Sequence, residues 1–503
     1  MNFSATLCKE HENKHRLFAL IGLFLIYFYA VADLQLELWY RILTHYTDVL
    51  MISFIALSFY LRLFKRSWAE RFVWLYILWL FITRIINGDI YLYEEYHLVV
   101  RQVALSCAFF SVGFLLENKD RQRFLDLAIW GVCAYWFILA AYGLYGAINL
   151  TRVSLPFVDV TVGMGKLSNY QLLLENTHRN ISGIWFAFAT VLMICQFFRN
   201  RNILLRIIAV IFGIVFYFAT AMSFCRSAQI GLCVAIAMLF ILLALKKFSV
   251  KKTGFKALMI TAIIVVVLPL SYMGYSAANS LCTFASSQIA ANKLNSAEEN
   301  TPDSAPAAVA VADPQETASI SADEQQPAEE ETTKKEENIS FEETRGMNNV
   351  LILGGRRYIW HAGLIMLREQ PARIFCGGIS SEYMEEILDL GAVLANRKKP
   401  EELIDMHNYI LDALMLTGIP GAVILILFTI LLVTRMVKVF FSTKPEVCMS
   451  LKILTLPIAM LLVDNMMETH IFRADYAHSF LFFAISGAFL AWSYEVLPCT
   501  KKK

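Results

Sequence analysis

The stretch ILLRIIAVIFGIVFYFATAM, residues 203–222, decides the fold of this chain. Its only charged side chain is that of Arg206, close to its start. A hydrocarbon layer about 30 Å thick is crossed by roughly 20 helical residues, and a helix satisfies all of its backbone groups within the segment. The stretch therefore predicts a membrane-spanning helix.

Similar apolar runs recur along the sequence and predict about twelve spans. They centre on residues 17–32, 46–64, 72–86, 98–116, 124–148, 181–198, 203–222, 227–245, 255–275, 409–433, 451–467 and 476–494. They lack the short alternating segments of a transmembrane barrel. Of the 503 residues, 57% are hydrophobic and 17% are charged, which is too apolar for a soluble protein of this length. We expect an all-α, polytopic bundle of transmembrane helices.

Basic residues collect in alternate connections and so predict the orientation of the chain. Neutral or acidic connections, such as the one with Asp89 and Glu94, lie between them. Because cytoplasmic loops carry the excess of Lys and Arg, we expect both termini on the cytoplasmic side of the membrane. The basic segments are those with Lys14 and Arg16, Arg62 to Arg71, Lys119 to Arg123, Arg199 to Arg206, Lys246 to Lys256, Arg435 to Lys452, and Lys501 to Lys503.

One connection, between the ninth and tenth spans, is long and has two parts. We expect residues 1–275 to hold nine spans, residues 276–349 to form a largely disordered acidic insert, and residues 409–503 to hold three spans and a basic tail. In residues 350–408, Trp360, Leu364 and Leu367 recur at helical spacing, which predicts an amphipathic helix. Cys282 and Cys376 lie outside in this arrangement, and the sequence does not decide whether they are bridged.

Three places put cationic or titratable side chains at the outer membrane boundary: Arg226, the pair Arg356 and Arg357, and His407. Arginine matches phosphate oxygens two at a time, and histidine takes up a proton near neutral pH. Together these residue types suit a site that holds a diphosphate and deprotonates a hydroxyl. Taken singly, each arginine could instead contact lipid headgroups or solvate a helix end, and the histidine could be merely interfacial.

Two further groups are weaker candidates for the same site. Asp464 and Glu468 lie one helical turn apart at the outer end of the penultimate span, where they could line the cavity, pair with an arginine or be a solvated helix end. Arg179 lies at the outer start of another span and could contact phosphate of a substrate or of a lipid.

The chain resembles the O-antigen ligase and polymerase superfamily of bacterial envelope glycan assembly. The resemblance covers roughly residues 180–421 and includes the late, large external loop. The chain departs from the family pattern in two respects. The turn continues as Cys225-Arg226-Ser227-Ala228 where the family has Ser-Arg-Gly, and the acidic insert is not part of the shared pattern. The motifs that carry the resemblance are Ser223 with Arg226, Arg356 with Trp360, Pro371 with Gly377 and Gly378, and the run of His407, Asn408, Leu411, Leu414, Gly418 and Gly421.

The resemblance implies transfer of a glycan from a polyprenyl diphosphate carrier to an acceptor hydroxyl of a glycan, lipid or protein on the outer face of the bacterial inner membrane, without a nucleotide donor, cofactor or metal. The formal net charge of +2 separately argues against nucleic acid as a partner. It assigns His407 as general base, and Arg226 and Arg356 as the groups that stabilise the leaving diphosphate. Arg357, Asn408, Arg179, Asp464 and Glu468 are the expected substrate contacts.

Two other classes of function stay open. A twelve-span chain could be a secondary transporter, although the two similar halves of that class are not visible. A non-enzymatic membrane protein could use the acidic loop as a binding arm, in which case deletion of residues 297–337 would abolish its function. Polymerase or ligase activity, the sugars, the acceptor and the oligomeric state are not decided by the sequence.

Overall fold

A computed structural model describes most of the chain. It covers residues 3–32, 37–62, 68–86, 95–149, 151, 153–154, 161–164, 172–174, 179–247, 253–299, 356–369, 371–377, 408–468 and 477–498. Residues 300–349 of the predicted acidic insert and the candidate base His407 lie outside these residues.

The regular structure is overwhelmingly helical and confirms the all-α prediction. The helices are α1 (Phe3–Ala32), α2 (Glu37–Arg62), α3 (Trp68–Ile86), α4 (Glu95–Leu115), α5 (Asn118–Asn149), α6 (Arg179–Arg199), α7 (Ile203–Ser223), α8 (Arg226–Lys247), α9 (Thr253–Glu299), α10 (Arg356–Glu369), α11 (Pro371–Cys376), α12 (Tyr409–Phe440), α13 (Met449–Ile453), α14 (Thr455–Asn465) and α15 (Ala477–Val496).

Each apolar run coincides with helical structure, and the penultimate run is divided into α13 and α14. Within the described residues, eight helices are long and apolar enough to cross a membrane, and three apolar helical segments are shorter: Thr47–Leu61, Arg71–Thr83 and Val103–Leu115. The chain is therefore a multi-pass membrane protein, while the count of twelve spans stays a prediction.

Between α5 and α6, three short strands add a feature that the apolar runs do not predict. They are β1 (Val153–Ser154), β2 (Thr161–Met164) and β3 (Leu172–Leu174), paired antiparallel in the order β1-β2-β3. The sheet lies against α5, and β3 also contacts α6 and α7. It therefore covers one end of these helices.

Helix α9 runs well beyond the expected end of the ninth span at Tyr275. It continues to Glu299, and the Ser286 hydroxyl donates to the carbonyl of Ala147 near the end of α5 at 3.2 Å. The first residues assigned to the external loop thus continue the helix.

Three of the basic segments, those with Arg121, Arg199 and Arg435, meet at one end of the bundle. Arg121 at the start of α5 pairs with Glu495 at the end of α15, with 2.8 Å between nitrogen and oxygen. Arg199 at the end of α6 pairs with Asp126 at 3.0 Å, and Arg435 in α12 lies 3.8 Å above the ring of Tyr494. The assignment of this end to the cytoplasm remains a prediction.

Glycines allow the central helices to approach closely. A Cβ atom on Gly487 of α15 would lie 1.9 Å from the carbonyl oxygen of Phe110 in α4, and one on Gly231 of α8 would lie 2.9 Å from that of Met460 in α14. Small residues at such crossings are typical of membrane helices, whose association depends on close packing. The contact between α8 and α14 places their ends side by side at the candidate site.

Candidate active site

The turn between α7 and α8 carries Arg226, and its backbone is held in an unusual conformation. Phe224 has φ 54° and ψ 23°, the one positive φ of a non-glycine residue in the described part of the chain. This left-handed conformation costs roughly 1–2 kcal/mol for such a residue, so the surroundings must enforce it. The sequence prediction of a turn at Ser223–Arg226 is confirmed.

Arg226 begins α8 with an exposed side chain, whereas its neighbours Cys225 and Ser227 are buried. Within the described residues it makes no ion pair. A cation with this exposure is available to an anionic ligand.

The start of α6 packs directly beneath this turn. A Cβ atom on Gly183 would lie 2.4 Å from Cβ of Cys225 and 2.6 Å from Oγ of Ser223, so a larger residue would push the turn outward. One turn earlier in the helix, Asn180 Nδ2 donates to Glu468 Oε1 at 2.9 Å. The N-terminal end of α6 therefore joins the Arg226 turn to the segment after α14.

Two buried carboxylates lie here: Asp464 at the end of α14 and Glu468 just after it. Their side chains are 0% and 2% exposed, and the Glu468 backbone N–H donates to the carbonyl of Asp464 at 2.9 Å. Burial raises the pKa of the Cys225 thiol to about 12, and the negative charges of Asp464 and Glu468 add to the rise. The packing of α8 on α14 and the bond from Asn180 to Glu468 place the two carboxylates beside the turn, inside the protein rather than at a solvated helix end.

Asn408 caps the N-terminus of α12. Its Oδ1 accepts from the backbone N–H groups of Ile410 and Leu411, both at 3.1 Å, and its Nδ2 donates to the carbonyl of Met466 at 3.0 Å. Both polar atoms of the side chain therefore hold α12 against the end of α14. The substrate contact that the resemblance implies for Asn408 stays a prediction.

The glycines of the predicted motifs meet where α11 docks on α12. Gly418 has φ 67° and ψ −173°, which divides α12 into two helical parts, and Gly377 has φ 62°. A Cβ atom on Gly377 would lie 2.5 Å from the Gly418 nitrogen, and one on Gly418 would lie 2.4 Å from the Phe375 carbonyl oxygen. Backbone approaches backbone here, which explains why both positions require glycine.

This close backbone contact between Gly377 and Gly418 is the glycine interlock. It holds α11, and with it the preceding helix α10 that begins with Arg356 and Arg357, against α12. Trp79 of α3 supports it, because its indole N–H donates to the carbonyl of Thr417 at 2.7 Å. The kink at Gly418 interrupts the helical hydrogen bonds of α12 at this point. The glycines of the motifs and Trp79 of α3 thus hold α3, α11 and α12 together.

An apolar groove of about 580 Å³ lies between α6, α7, α8 and α9. Small residues open it, among them Ala209, Gly213, Gly274 and Ala277. Phe218 of α7 lines it, five residues before the turn begins at Ser223. The groove therefore runs along the apolar faces of these helices, and Phe218 is its lining residue nearest to the turn in the α7 sequence.

The structure brings together four of the predicted site residues: Arg226, Asp464, Glu468 and Asn408. Arg356 and Arg357 begin α10 and Arg179 begins α6, with side-chain positions outside the described structure, as is the whole of His407. Within the described residues, no group of three His, Cys, Asp or Glu side chains is placed to hold a metal ion.

Comparison with known families gives one match. Residues 211–426 match the family model described as O-antigen ligase, and no curated protein matches the chain. The match confirms the resemblance and includes Arg226, Arg356, His407 and the glycines of the interlock, whereas Arg179, Asp464 and Glu468 lie outside it. Together with the apolar helices, it supports a membrane glycan-processing protein.

Proposed function

We propose that this chain transfers a glycan from a polyprenyl diphosphate carrier to an acceptor hydroxyl on the outer face of the bacterial cytoplasmic membrane. The observation that carries the proposal is the convergence of the Arg226 turn, the buried carboxylates of Asp464 and Glu468, and the Asn408 cap within the region that matches or adjoins the family model. The apolar groove between α6, α7, α8 and α9 supports a substrate with a long hydrocarbon chain.

Arg226 and Arg356, with Arg357, bind the diphosphate in this proposal. An exposed guanidinium at a membrane boundary offers paired donors to phosphate oxygens and stays charged throughout the reaction. Negative charge grows on the diphosphate as it leaves, so the arginines stabilise the transition state more than the ground state. Arg179 contributes from the start of α6, which Asn180 ties to Glu468.

His407 takes the proton of the acceptor hydroxyl. The acceptor oxygen forms a bond to the anomeric carbon, the bond from that carbon to the diphosphate oxygen breaks, and its electron pair leaves with the diphosphate. A direct displacement of this kind inverts the anomeric carbon. Asn408 fixes the helix that follows His407, and Glu468 ties the end of α14 to the start of α6 through Asn180. Asp464 is buried one helical turn before Glu468.

The proposal is tested first in cells, by the envelope glycan of a strain that lacks the gene. Loss of normal glycan, restored by the wild-type chain but not by an equally inserted Arg226→Ala variant, is the expected result. Single-repeat products in the deletion strain identify a polymerase, and full-length chains left on the carrier identify a ligase. Unchanged glycan together with altered solute uptake overturns the proposal in favour of a transporter.

A further inference from the structure

Tyr275 differs from its neighbours on α9. The helix exposes large apolar side chains along much of its length, including Val265 at 64% and Met273 at 63%. Tyr275, in contrast, is 6% exposed and packs with Ala221 of α7 and Ala278. A buried hydroxyl is costly unless it is hydrogen-bonded, so the hydroxyl of Tyr275 is expected to have a hydrogen-bond partner inside the protein.

The hydroxyl of Tyr275 lies against the last turn of α7. It donates to the carbonyl of Ala221 at 2.8 Å and also lies 3.2 Å from that of Thr220. The last carbonyls of a helix have no partner within the helix, and in an apolar environment each unpaired carbonyl is expensive. Tyr275 therefore satisfies the helix end that leads into Phe224 and Arg226.

The turn is held from two sides. From within, the Ser223 hydroxyl donates to the carbonyl of Thr220 at 2.8 Å and accepts from the Cys225 backbone N–H at 3.4 Å. From outside, Tyr275 fixes the carbonyl of the next residue, Ala221. The left-handed Phe224 follows directly, so these bonds belong to the surroundings that enforce its strained conformation.

We propose that Tyr275 is a positioning residue for Arg226: its hydroxyl locks the end of α7 and so fixes the direction in which Arg226 leaves the turn. The inference rests on the proposed function, in which Arg226 binds the diphosphate. It also gives α9 a role beyond crossing the membrane, because this helix connects the Arg226 turn with the part of the chain that leads to Arg356.

The test uses the full chain in liposomes with a lipid diphosphate-linked glycan as donor. Tyr275→Phe removes the hydroxyl and keeps the ring, and Tyr272→Phe is the matched control, since Tyr272 lies on the same helix and is 41% exposed. Tyr275→Phe should lower kcat/KM for the donor by roughly three- to tenfold, the range for loss of one neutral hydrogen bond. Tyr272→Phe should leave it unchanged.

A double-mutant cycle with Arg226→Lys separates positioning from general destabilisation. If Tyr275 acts through Arg226, Tyr275→Phe has little further effect once the guanidinium is gone, and the two losses are not additive. The same fractional loss in both backgrounds, or no loss in the wild-type background, overturns the inference.

A second readout does not depend on transfer activity. The Cys225 side chain is 1% exposed within the turn, and a loosened turn should speed its labelling by a membrane-impermeant maleimide, with Cys225→Ala marking the background from other thiols. Faster labelling in Tyr275→Phe without transfer by any variant supports the positioning contact and contradicts the proposed function. Normal transfer with unchanged labelling contradicts the positioning role alone.

Discussion

Replacement of Asn408 by alanine should cost more stability than removal of an ordinary helix cap. The side chain supplies an acceptor to two N–H groups at the start of α12 and a donor to the carbonyl of Met466. Alanine removes all three contacts. The result should be a looser N-terminus of α12 and a weaker connection to the end of α14.

The size of the effect follows from these contacts. Loss of a helix N-cap costs about 1 kcal/mol, and loss of one neutral hydrogen bond about 1 kcal/mol more. Met466 is 44% exposed, so water can hydrogen-bond its carbonyl when the Asn408 donor is lost. The loss of this hydrogen bond therefore costs no more than about 1 kcal/mol. We therefore expect Asn408→Ala to lower the free energy of unfolding by about 2 kcal/mol.

The assay measures the free energy of unfolding of the purified protein in detergent by denaturant titration. Asn202→Ala is the matched control, because Asn202 caps α7 through one bond to the Leu204 N–H at 2.9 Å and makes no second connection of this kind within the described structure. It should cost about 1 kcal/mol. Asn408→Ser keeps a capping oxygen but is too short to reach Met466, and should fall between the two. Equal losses for Asn408→Ala and Asn202→Ala would refute the reasoning.

Three other changes have defined outcomes. Gly418→Ala should lower the free energy of unfolding by about 1–3 kcal/mol, the cost of its backbone conformation for a residue with a side chain. Gly213→Ala is the control in the same assay: its Cβ atom would meet nothing closer than 3.6 Å, so it should not destabilise the protein. Ala277→Trp should fill the apolar groove and raise KM for the lipid-linked donor several-fold at unchanged kcat, and Ala262→Trp, elsewhere on α9, should leave KM unchanged in steady-state transfer kinetics. Deletion of residues 300–337, chosen because α9 runs to Glu299, should leave transfer intact in the same liposomes, and loss of transfer by a stable deletion variant would favour a binding role of the acidic loop.

The spans were predictable because membrane helices are encoded locally. A run such as residues 203–222 must form a helix whatever its neighbours do, since lipid offers no partner for its backbone groups. The amphipathic pattern of Trp360, Leu364 and Leu367 likewise predicted α10, which extends from Arg356 to Glu369. The break between α13 and α14 and the kink at Gly418 were not predicted, because they depend on packing against other helices.

The site was only partly predictable, for the same reason. Residue type singled out Arg226, Asp464 and Glu468, yet the sequence left open whether the carboxylates were solvated. Trp79 and Tyr275 carry no local signal, because a tryptophan or tyrosine in a membrane helix is common and their partners lie far away in the sequence. The requirement for glycine at position 183 is visible only in the structure, where the turn at Ser223 and Cys225 packs against it.

The central claim is that the chain transfers a glycan from a lipid diphosphate with His407 as the base, and it is tested most directly by the transfer rate of purified His407→Ala in liposomes that contain donor and acceptor. Loss of a general base should slow transfer by about 10²-fold or more. Binding of the donor should persist, because the arginines are unchanged. Transfer at the wild-type rate by a properly inserted His407→Ala variant would contradict the account.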